Sequence, residues 1–288
     1  MTHSVRALLI LVLISGISLN AQEITSPQGV RVLENKSFDD SPTARQEILE
    51  LYEDLRVADV MDGMDLVGLQ DMGLFYNNIR PYWVDAENFT HRIVGFALTV
   101  RFVPNDRRIG EGSFDTIEGY QKWYKDQYAR APHAWTSAAK DGDILVISSD
   151  GTGEAANIGS NNTLWWYTLG IRGVVTNASA RDQDEIVAEK VMPVYGQEDR
   201  ALRSVRAGRC ILESYNFPVV CAGVLVFPGD LVVADMDGVL VVPREKAMEV
   251  GKAARGIMKD DQASREKQLK EIRAKQAAER KKKLDSTF

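Results

Sequence analysis

Cysteine and histidine are scarce in this chain. Its 288 residues hold two cysteines, Cys210 and Cys221, and three histidines, His3, His91 and His133. Two cysteines are too few for a disulfide-stapled scaffold. They flank an apolar segment around Asn216-Phe217-Pro218, so pairing in an oxidising compartment and two buried free thiols both stay open. Three histidines, one of them at the extreme N-terminus, exclude a His-rich zinc site. Basic excess is also missing. Lys+Arg number 35 against 41 for Asp+Glu, a formal net charge of −6, which argues against nucleic-acid binding. No apolar run reaches the roughly 20 residues a membrane helix needs.

The longest apolar run, Ala7 to Ile14, follows Arg6 and precedes Leu19-Asn20-Ala21. A short positive region, an apolar stretch and a small-residue cleavage site predict a secretory signal over residues 1–21. No Cys stands at the cleavage point, which argues against a lipid anchor. The mature chain is expected to be exported, periplasmic or secreted, with no membrane span once the signal is removed.

Residues 22–44 are polar and irregular and read as a linker. Ser41-Pro42 has the form of an N-cap with Pro at the first helical position, and Ile48, Leu51, Tyr52 and Leu55 follow at helical spacing. A second short helix is predicted over Val57 to Asp65, and an aromatic-rich one over Phe114 to Tyr128. Strands are predicted at 92–103, with Gly95 as a bulge, and at 143–147, 171–176, 191–195, 219–227, 231–234 and 239–243. Short strands mixed with helices give an α/β class with a mixed sheet. Residues 45–245 form the expected domain. From 246 to 288 the chain is Ala/Lys/Glu/Arg-rich with no turn residue after Gly256, which predicts a long polar helix.

The segment 153–182 carries the chemistry. Gly159-Ser160-Asn161-Asn162 opens a helix, an apolar run through Trp165-Trp166-Tyr167 ends at Gly170, and a Val-rich strand leads to Arg181-Asp182. Asn and Ser suit an ordinary helix start, but free amides at such a start also grip an anion. Adjacent opposite charges such as Arg181-Asp182 are commonly solvated pairs. Here they follow a buried strand, where α/β proteins place ligands. An Arg fork clamps a carboxylate and an Asp holds a hard divalent cation. The aromatic run reads as core plus subunit contact rather than a stacking platform. Asp235 and Asp237 read as turn formers bonding their own backbone rather than as metal ligands.

These blocks resemble the RraA-like family, which includes 4-hydroxy-4-methyl-2-oxoglutarate aldolases and oxaloacetate decarboxylases. The resemblance rests on Gly159 to Asn162, on Gly170 through Arg181-Asp182, and on Pro228-Gly229-Asp230 through Asp235-Met236-Asp237-Gly238-Val239 to Pro243. Arg56-Val57-Ala58-Asp59-Val60-Met61-Asp62-Gly63 and the strand at 92–100 add to it. It covers about residues 50–245. It implies a swivelling β/β/α domain with mixed sheets, assembled as a homotrimer or a dimer of trimers with sites at subunit boundaries.

The resemblance also implies roles. Amides of the Gly159, Ser160, Asn161 and Asn162 turn and the Arg181 guanidinium would bind the carboxylate of a keto-acid substrate. Asp182 would hold Mg²⁺ or Mn²⁺, with Arg181 and Asp182 as the catalytic pair. An acid from a neighbouring subunit's C-terminal helix, among Asp260, Asp261 and Glu266, would face the metal's waters. The implied activity is a metal-dependent carbon–carbon lyase cleaving a pyruvyl-containing acid through a metal-stabilised pyruvate enolate. It would be an aldolase, an oxaloacetate decarboxylase or both. The alternative is a non-catalytic organic-acid-binding or regulatory protein on the same scaffold. Ser160 stands where family enzymes have Glu or Asp, and Asn177-Ala178-Ser179 replaces an Asp-Gly turn.

Overall fold

Parallel strands in the middle, antiparallel strands at the margins and helices on the faces make up the architecture. The computed structural model describes residues 31–76, 78–105, 116–128, 133–149, 151–152, 154–197, 203–204 and 209–285. The expected signal at 1–21 lies outside them. The described elements belong to the unit that begins at Leu33. In chain order they are α1 (Pro42–Tyr52), α2 (Val57–Leu66), β1 (Arg80–Pro81), β2 (Ile93–Pro104), α3 (Ile117–Tyr128), β3 (Asp143–Ser148), β4 (Ala155–Ala156), α4 (Ser160–Thr168), β5 (Ile171–Thr176), α5 (Gln183–Glu189), β6 (Val194–Gly196), β7 (Arg203–Ser204), β8 (Cys210–Tyr215), β9 (Val219–Cys221), β10 (Val224–Val226), β11 (Leu231–Asp235), β12 (Gly238–Val242) and α6 (Ala247–Asp285). Among the described residues no helix is long and apolar enough to cross a membrane.

The main sheet runs β1-β6-β5-β3-β2-β11-β12, with β8 also paired to β2. The β2–β3, β3–β5 and β5–β6 pairs are parallel. β11 and β8 run antiparallel to β2, sharing one edge end to end. Parallel central strands are covered on both faces, which is why β3 is buried at all six positions. Alternation assigns the faces. Leu98, Val100, Phe102, Leu145 and Ile147 pack with Trp135 and Trp166 on one side. Ala97, Ile144 and Val146 pack with Val219, Cys221 and Val226 on the other. A third cluster seats α1, α2 and the start of α6 on Phe96, Leu231, Val233 and Leu240.

Several local expectations are met by identifiable bonds. The Ser41 hydroxyl accepts the Ala44 amide at 3.3 Å, with Pro42 opening α1. Arg56 and Asp59 close the start of α2: Asp59 Oδ2 accepts the Arg56 amide at 3.0 Å and Arg56 Nε at 2.9 Å. Asp235 and Asp237 are turn formers, since Asp235 Oδ1 accepts the Asp237 amide at 2.8 Å. Asp235 Oδ2 also accepts the Val57 amide at 2.9 Å, tying the β11–β12 turn to α2.

Others are corrected. Gly95 is no bulge; the irregularity in β2 falls between Arg101 and Phe102, opposite β8. Gly95 is there because β3 comes close: a Cβ on it would stand 2.4 Å from the Gly142 carbonyl oxygen. The apolar run at 219–227 is a hairpin, β9–β10, reversed at Ala222-Gly223, where both residues have positive φ. β8 was missed because its alternation is broken by charged and polar residues. The segment read as linker is docked at its end, where Asn35 Nδ2 donates to the Asn216 carbonyl at 3.0 Å and Lys36 pairs with Glu245 at 3.0 Å. Both cysteines are buried thiols outside any disulfide. Cys210 Sγ donates to Asn157 Oδ1 at 3.2 Å and Cys221 Sγ meets the Ile147 carbonyl at 3.5 Å. Burial pushes the Cys210 thiol up to about 12, which makes it an inert core group.

The helix predicted at 246–288 is α6, 39 residues long. Its first three turns bury Ala247, Val250, Ala254 and Met258 against α1 and α2. Over residues 259–280 every position is exposed. A helix so polar beyond its docked turns lacks an apolar stripe to bury within its own chain.

Candidate functional site

The loops that follow β3 and β5 meet at the carboxyl ends of two parallel strands, the usual ligand position of an open α/β sheet. An isolated parallel bridge between Ile158 and Ala180 joins them, and the Arg181 amide donates to the Ile158 carbonyl at 3.0 Å. This pairing brings Gly159, the N-cap of α4, against Arg181-Asp182. Further ties fix the loops. Asn177 Oδ1 accepts the Ser149 amide at 2.8 Å, and Asn157 Nδ2 donates to Ser149 Oγ at 2.7 Å. Tyr82 Oη accepts the Ala180 amide at 2.7 Å and donates to the Gln197 carbonyl at 3.1 Å. The Asn177-Ala178-Ser179 departure is therefore structural stitching: Asn177 binds the β3 loop, and Ser179 Oγ donates to the Gln197 carbonyl after β6.

At the junction lies a cavity of about 210 Å³. Gly159, Asn161, Asn162, Arg181 and Asp182 line it, together with Phe102, His133, Trp135 and Trp166 among others. α4 lacks a side-chain cap at Gly159, so the amides of Ser160 and Asn161 at its first turn have no intrahelical acceptor. The Asn162 and Thr163 amides donate back to the Gly159 carbonyl at 3.0 and 3.1 Å. The turn that was expected to grip a carboxylate thus presents amides and the helix's positive end to the cavity.

Asp182 sits in the left-handed region, φ 58° and ψ 38°, a conformation Asp tolerates better than most residues. It occupies the N-cap of α5, yet its carboxylate does not cap that helix. Oδ1 accepts Arg181 Nε at 2.9 Å. Oδ2 lies 2.8 Å from where a Cβ on Gly159 would stand. Only a glycine there leaves room for the carboxylate, which explains Gly159 without appeal to backbone strain, since its φ of −148° is ordinary extended chain. The two side chains stay partly open, 42% for Arg181 and 31% for Asp182, so a ligand can reach both.

Ser160 behaves differently from expectation. It is 3% exposed and does not line the cavity. Its hydroxyl is bonded to Glu185 Oε2 on α5, so its side chain serves the α4–α5 junction. Glu185 went unnoticed in the sequence, although its place three residues after Asp182 on a helix start put it next to the site. His133, Trp135 and Asn157 were also missed, because their elements are distant along the chain. Desolvation holds the His133 imidazole below its usual range. Trp166 of the aromatic run is fully buried in the core and also a cavity wall, while Trp165 and Tyr167 remain about two-fifths exposed. Asp235 and Asp237 do not line the cavity.

The donor set suits a hard divalent cation. Asp182 Oδ2 has no hydrogen-bond donor among the described residues, and Mg²⁺ is commonly held by one or two carboxylates with waters and substrate oxygens completing its shell. Among the described residues no group of three or more His, Cys, Asp or Glu side chains converges on one point, so the protein's share here would be the single carboxylate.

The sequence model of the RraA-like family (Aldolase/RraA) matches residues 57–241, which contain the whole junction just described. The chain belongs to the RraA-like family. A relative from Halalkalibacterium halodurans, provisionally named a 4-hydroxy-4-methyl-2-oxoglutarate aldolase, is 34% identical over 127 residues, covering 43% of this chain and 58% of that protein. The chain thus matches about three fifths of the length of that relative. An uncharacterized protein from Pseudomonas syringae has a solved structure with a TM-score of 0.57 and 27% identity, covering 79% of this chain and 90% of the other. Streptomyces coelicolor RraAS2, described as an unusual member of the RNase ES inhibitor RraA protein family, gives a TM-score of 0.58 at 23% identity. It covers 80% of this chain and 98% of the other and attests the fold. A relative from Deinococcus radiodurans, also provisionally named a 4-hydroxy-4-methyl-2-oxoglutarate aldolase, is 33% identical over 104 residues, covering 36% of this chain and 62% of that protein.

Proposed function

We propose that this RraA-like protein is a divalent-metal-dependent carbon–carbon lyase acting on a pyruvyl-containing acid, by aldol cleavage, oxaloacetate decarboxylation or both. The observation that carries the reading is the convergence of the α4 amide turn, Arg181 and Asp182 on one cavity, arranged by the Ile158–Ala180 bridge. Amides and the Arg181 guanidinium bind and orient the substrate carboxylate, because both offer donors to an anion. Asp182 would hold Mg²⁺ or Mn²⁺, whose charge favours the enolate left when the bond beside a keto group breaks. The Arg181–Asp182 contact fixes the carboxylate's direction, and the apolar wall keeps water from the reacting carbons.

We further propose a homotrimer or dimer of trimers in which the exposed part of α6 reaches a neighbouring copy. Asp260 and Glu266 are exposed, and Asp261 makes a 3.4 Å ion pair with Arg56 of its own chain while keeping its side chain 57% exposed. Export through residues 1–21 belongs to the same proposal, and a mature chain starting at Gln22, read by mass spectrometry, is its test.

The deciding experiment is pyruvate release from oxaloacetate and from 4-hydroxy-4-methyl-2-oxoglutarate by the purified chain, with Mg²⁺ or Mn²⁺ and with chelator. Asp182→Ala is expected to abolish metal-dependent release without unfolding the protein, while Arg181→Ala chiefly raises KM. Equal activity in both variants and the parent would refute the site. Organic-acid binding without turnover in any metal would leave the scaffold as a binding protein.

A further inference from the structure

The distal half of α6 carries a charge opposite to that of the domain it leaves. Residues 265–283 hold nine Lys or Arg against three Glu, whereas residues 31–264 hold 25 Lys or Arg against 36 Asp or Glu. Glu266 and Lys270, Glu271 and Lys275, and Glu279 and Lys283 stand four apart with the acid first, the order that supports an exposed helix. Every position from 259 to 280 is exposed. A helix lying along its own domain would bury one stripe, so this arm stands clear of it. Its 22 residues span about 33 Å at 1.5 Å per residue. The screening length at physiological ionic strength is about 8 Å, so the domain's negative charge does not cancel the arm's positive end.

The complementary surface lies on α1, α2 and the loop behind them. Seven carboxylates over residues 41–71 are exposed, from Glu47 and Glu50 on α1 to Asp62 and Asp65 on α2 and Asp71 beyond it. No Lys or Arg in this stretch is exposed: Arg45 is buried and paired with Asp143, and Arg56 is half-buried and paired with Asp59. The ion pairs among the described residues involve none of the seven. The root of α6, which packs against both helices, adds Lys252, Arg255 and Lys259 against Glu249, Asp260 and Asp261, so the strip stays acidic. Both surfaces also carry apolar groups that their own chain leaves uncovered. Leu269 and Ile272, one turn apart on the arm, are 44% and 48% exposed, and Leu66, next to Asp65 at the end of α2, is 71% exposed.

We propose that the basic arm of one copy lies on the acidic α1–α2 strip of a second copy. The arm does not serve its own strip, because it stands clear of its own domain. A second copy supplies an identical strip, and every copy offers both halves of the contact. Opposite charge steers the pairing and fixes its partner, while Leu269, Ile272 and Leu66 give it apolar area to remove from water. The contact gives the assembly proposed above a surface, and it is independent of the lyase reading.

The test is zero-length carbodiimide cross-linking of the full chain, resolved on a denaturing gel, with the linked peptides read by mass spectrometry. Carbodiimide joins a Lys to a carboxylate it touches. Links from Lys267, Lys270 or Lys275 to the strip acids are expected in the covalent dimer band and not in the monomer band. Raising NaCl from about 0.1 to about 1 M shortens the screening length from about 10 to about 3 Å and should lower their yield at least fivefold. Lys267→Glu with Lys270→Glu, and separately Asp62→Lys with Asp65→Lys, should each lower it at least tenfold. Combining the two reversals should restore the dimer band, with links now running from strip lysines to arm glutamates. Arm-to-strip links confined to the monomer band overturn the inference. So does an assembly in light scattering that shows no such links, and that result leaves both the assembly and the lyase reading standing. A monomer in light scattering overturns the contact and the assembly together. Capture of the arm by phosphatidylglycerol vesicles or duplex DNA in preference to a second copy at physiological salt also overturns it and assigns the arm to that anionic partner.

Discussion

Adding one methyl group at Gly159 isolates the chemistry from the fold. In Gly159→Ala the new Cβ would stand 2.8 Å from Asp182 Oδ2, 3.7 Å from Arg181 Cγ and 3.8 Å from Asp182 Cγ. Only the first contact is severe, and it falls on the end of a partly exposed side chain that can swing away. Backbone strain does not arise, because the φ of −148° suits alanine. The stability cost is then the weaker N-cap propensity of Ala, about 1 kcal/mol, or about 2–4 °C in Tm for a domain of this size. Activity is another matter. The carboxylate must retreat by several tenths of an ångström to about 1 Å, and a misplacement near 1 Å costs on the order of 100-fold in rate, equal to about 2.7 kcal/mol in the activation barrier. The assay pairs metal-dependent pyruvate release with thermal denaturation and Mn²⁺ affinity by calorimetry. The expected result is a large loss of kcat/KM and weaker Mn²⁺ binding in a folded protein. Unchanged activity would refute the placement of Asp182, and a loss that merely follows unfolding would refute the separation of site from scaffold.

Gly95→Ala should have the opposite profile, since its Cβ would meet the Gly142 carbonyl oxygen at 2.4 Å and Ile144 Cγ1 at 2.8 Å. Backbone in a central parallel pair cannot retreat, so denaturation should show a loss of several kcal/mol or no folded protein. Stability should fall in acid from about pH 6.5, because desolvation lowers the pKa of both His91 and His133. Between the folded values and 6.5 the unfolded chain holds protons that the native one does not, so stability rises with pH there; His133→Asn should flatten part of that slope in urea titrations. Deleting residues 260–288 should leave the midpoint of thermal unfolding of the isolated chain nearly unchanged, because the removed helix is exposed. Light scattering should nevertheless show smaller assemblies if α6 bridges copies, and an unaltered mass would dismiss that role.

Local chemistry made much of this legible in the sequence. Ser41-Pro42 marks a helix start by itself, Asp235 and Asp237 bond their own turn, and the Val-rich run at 171–176 declares a buried strand. That Arg181-Asp182 and the Gly159 turn meet was legible because short motifs placed both at strand ends, and the Ile158–Ala180 bridge joins them. What the sequence hid is set by contacts between distant segments. β8 pairs residues more than a hundred positions away, and its exposed side chains break the alternation that identifies a strand. The cavity's aromatic wall combines Phe102, Trp135 and Trp166 from three elements, and no one-dimensional spacing announces it. The hairpin at 219–226 was concealed because Ala222, at positive φ, carries no turn signal of its own.

Ser160 shows how one position can mislead while its neighbours inform. By motif it belongs to the anion turn, and its amide has no intrahelical acceptor, but its side chain is committed to Glu185. A side chain at the first residue of a helix can point along the outer surface while the amide points along the axis, so backbone and side chain at one residue can serve different surfaces. The same logic applies to Asp182, whose backbone starts α5 while its carboxylate turns away to Gly159 and Arg181. The left-handed conformation is what permits that division: a helical φ there would redirect the carboxylate relative to the Ile158–Ala180 bridge. Sites of this kind depend less on which acids the sequence contains than on the few backbone positions, here Gly159 and Asp182, that decide where a carboxylate can stand.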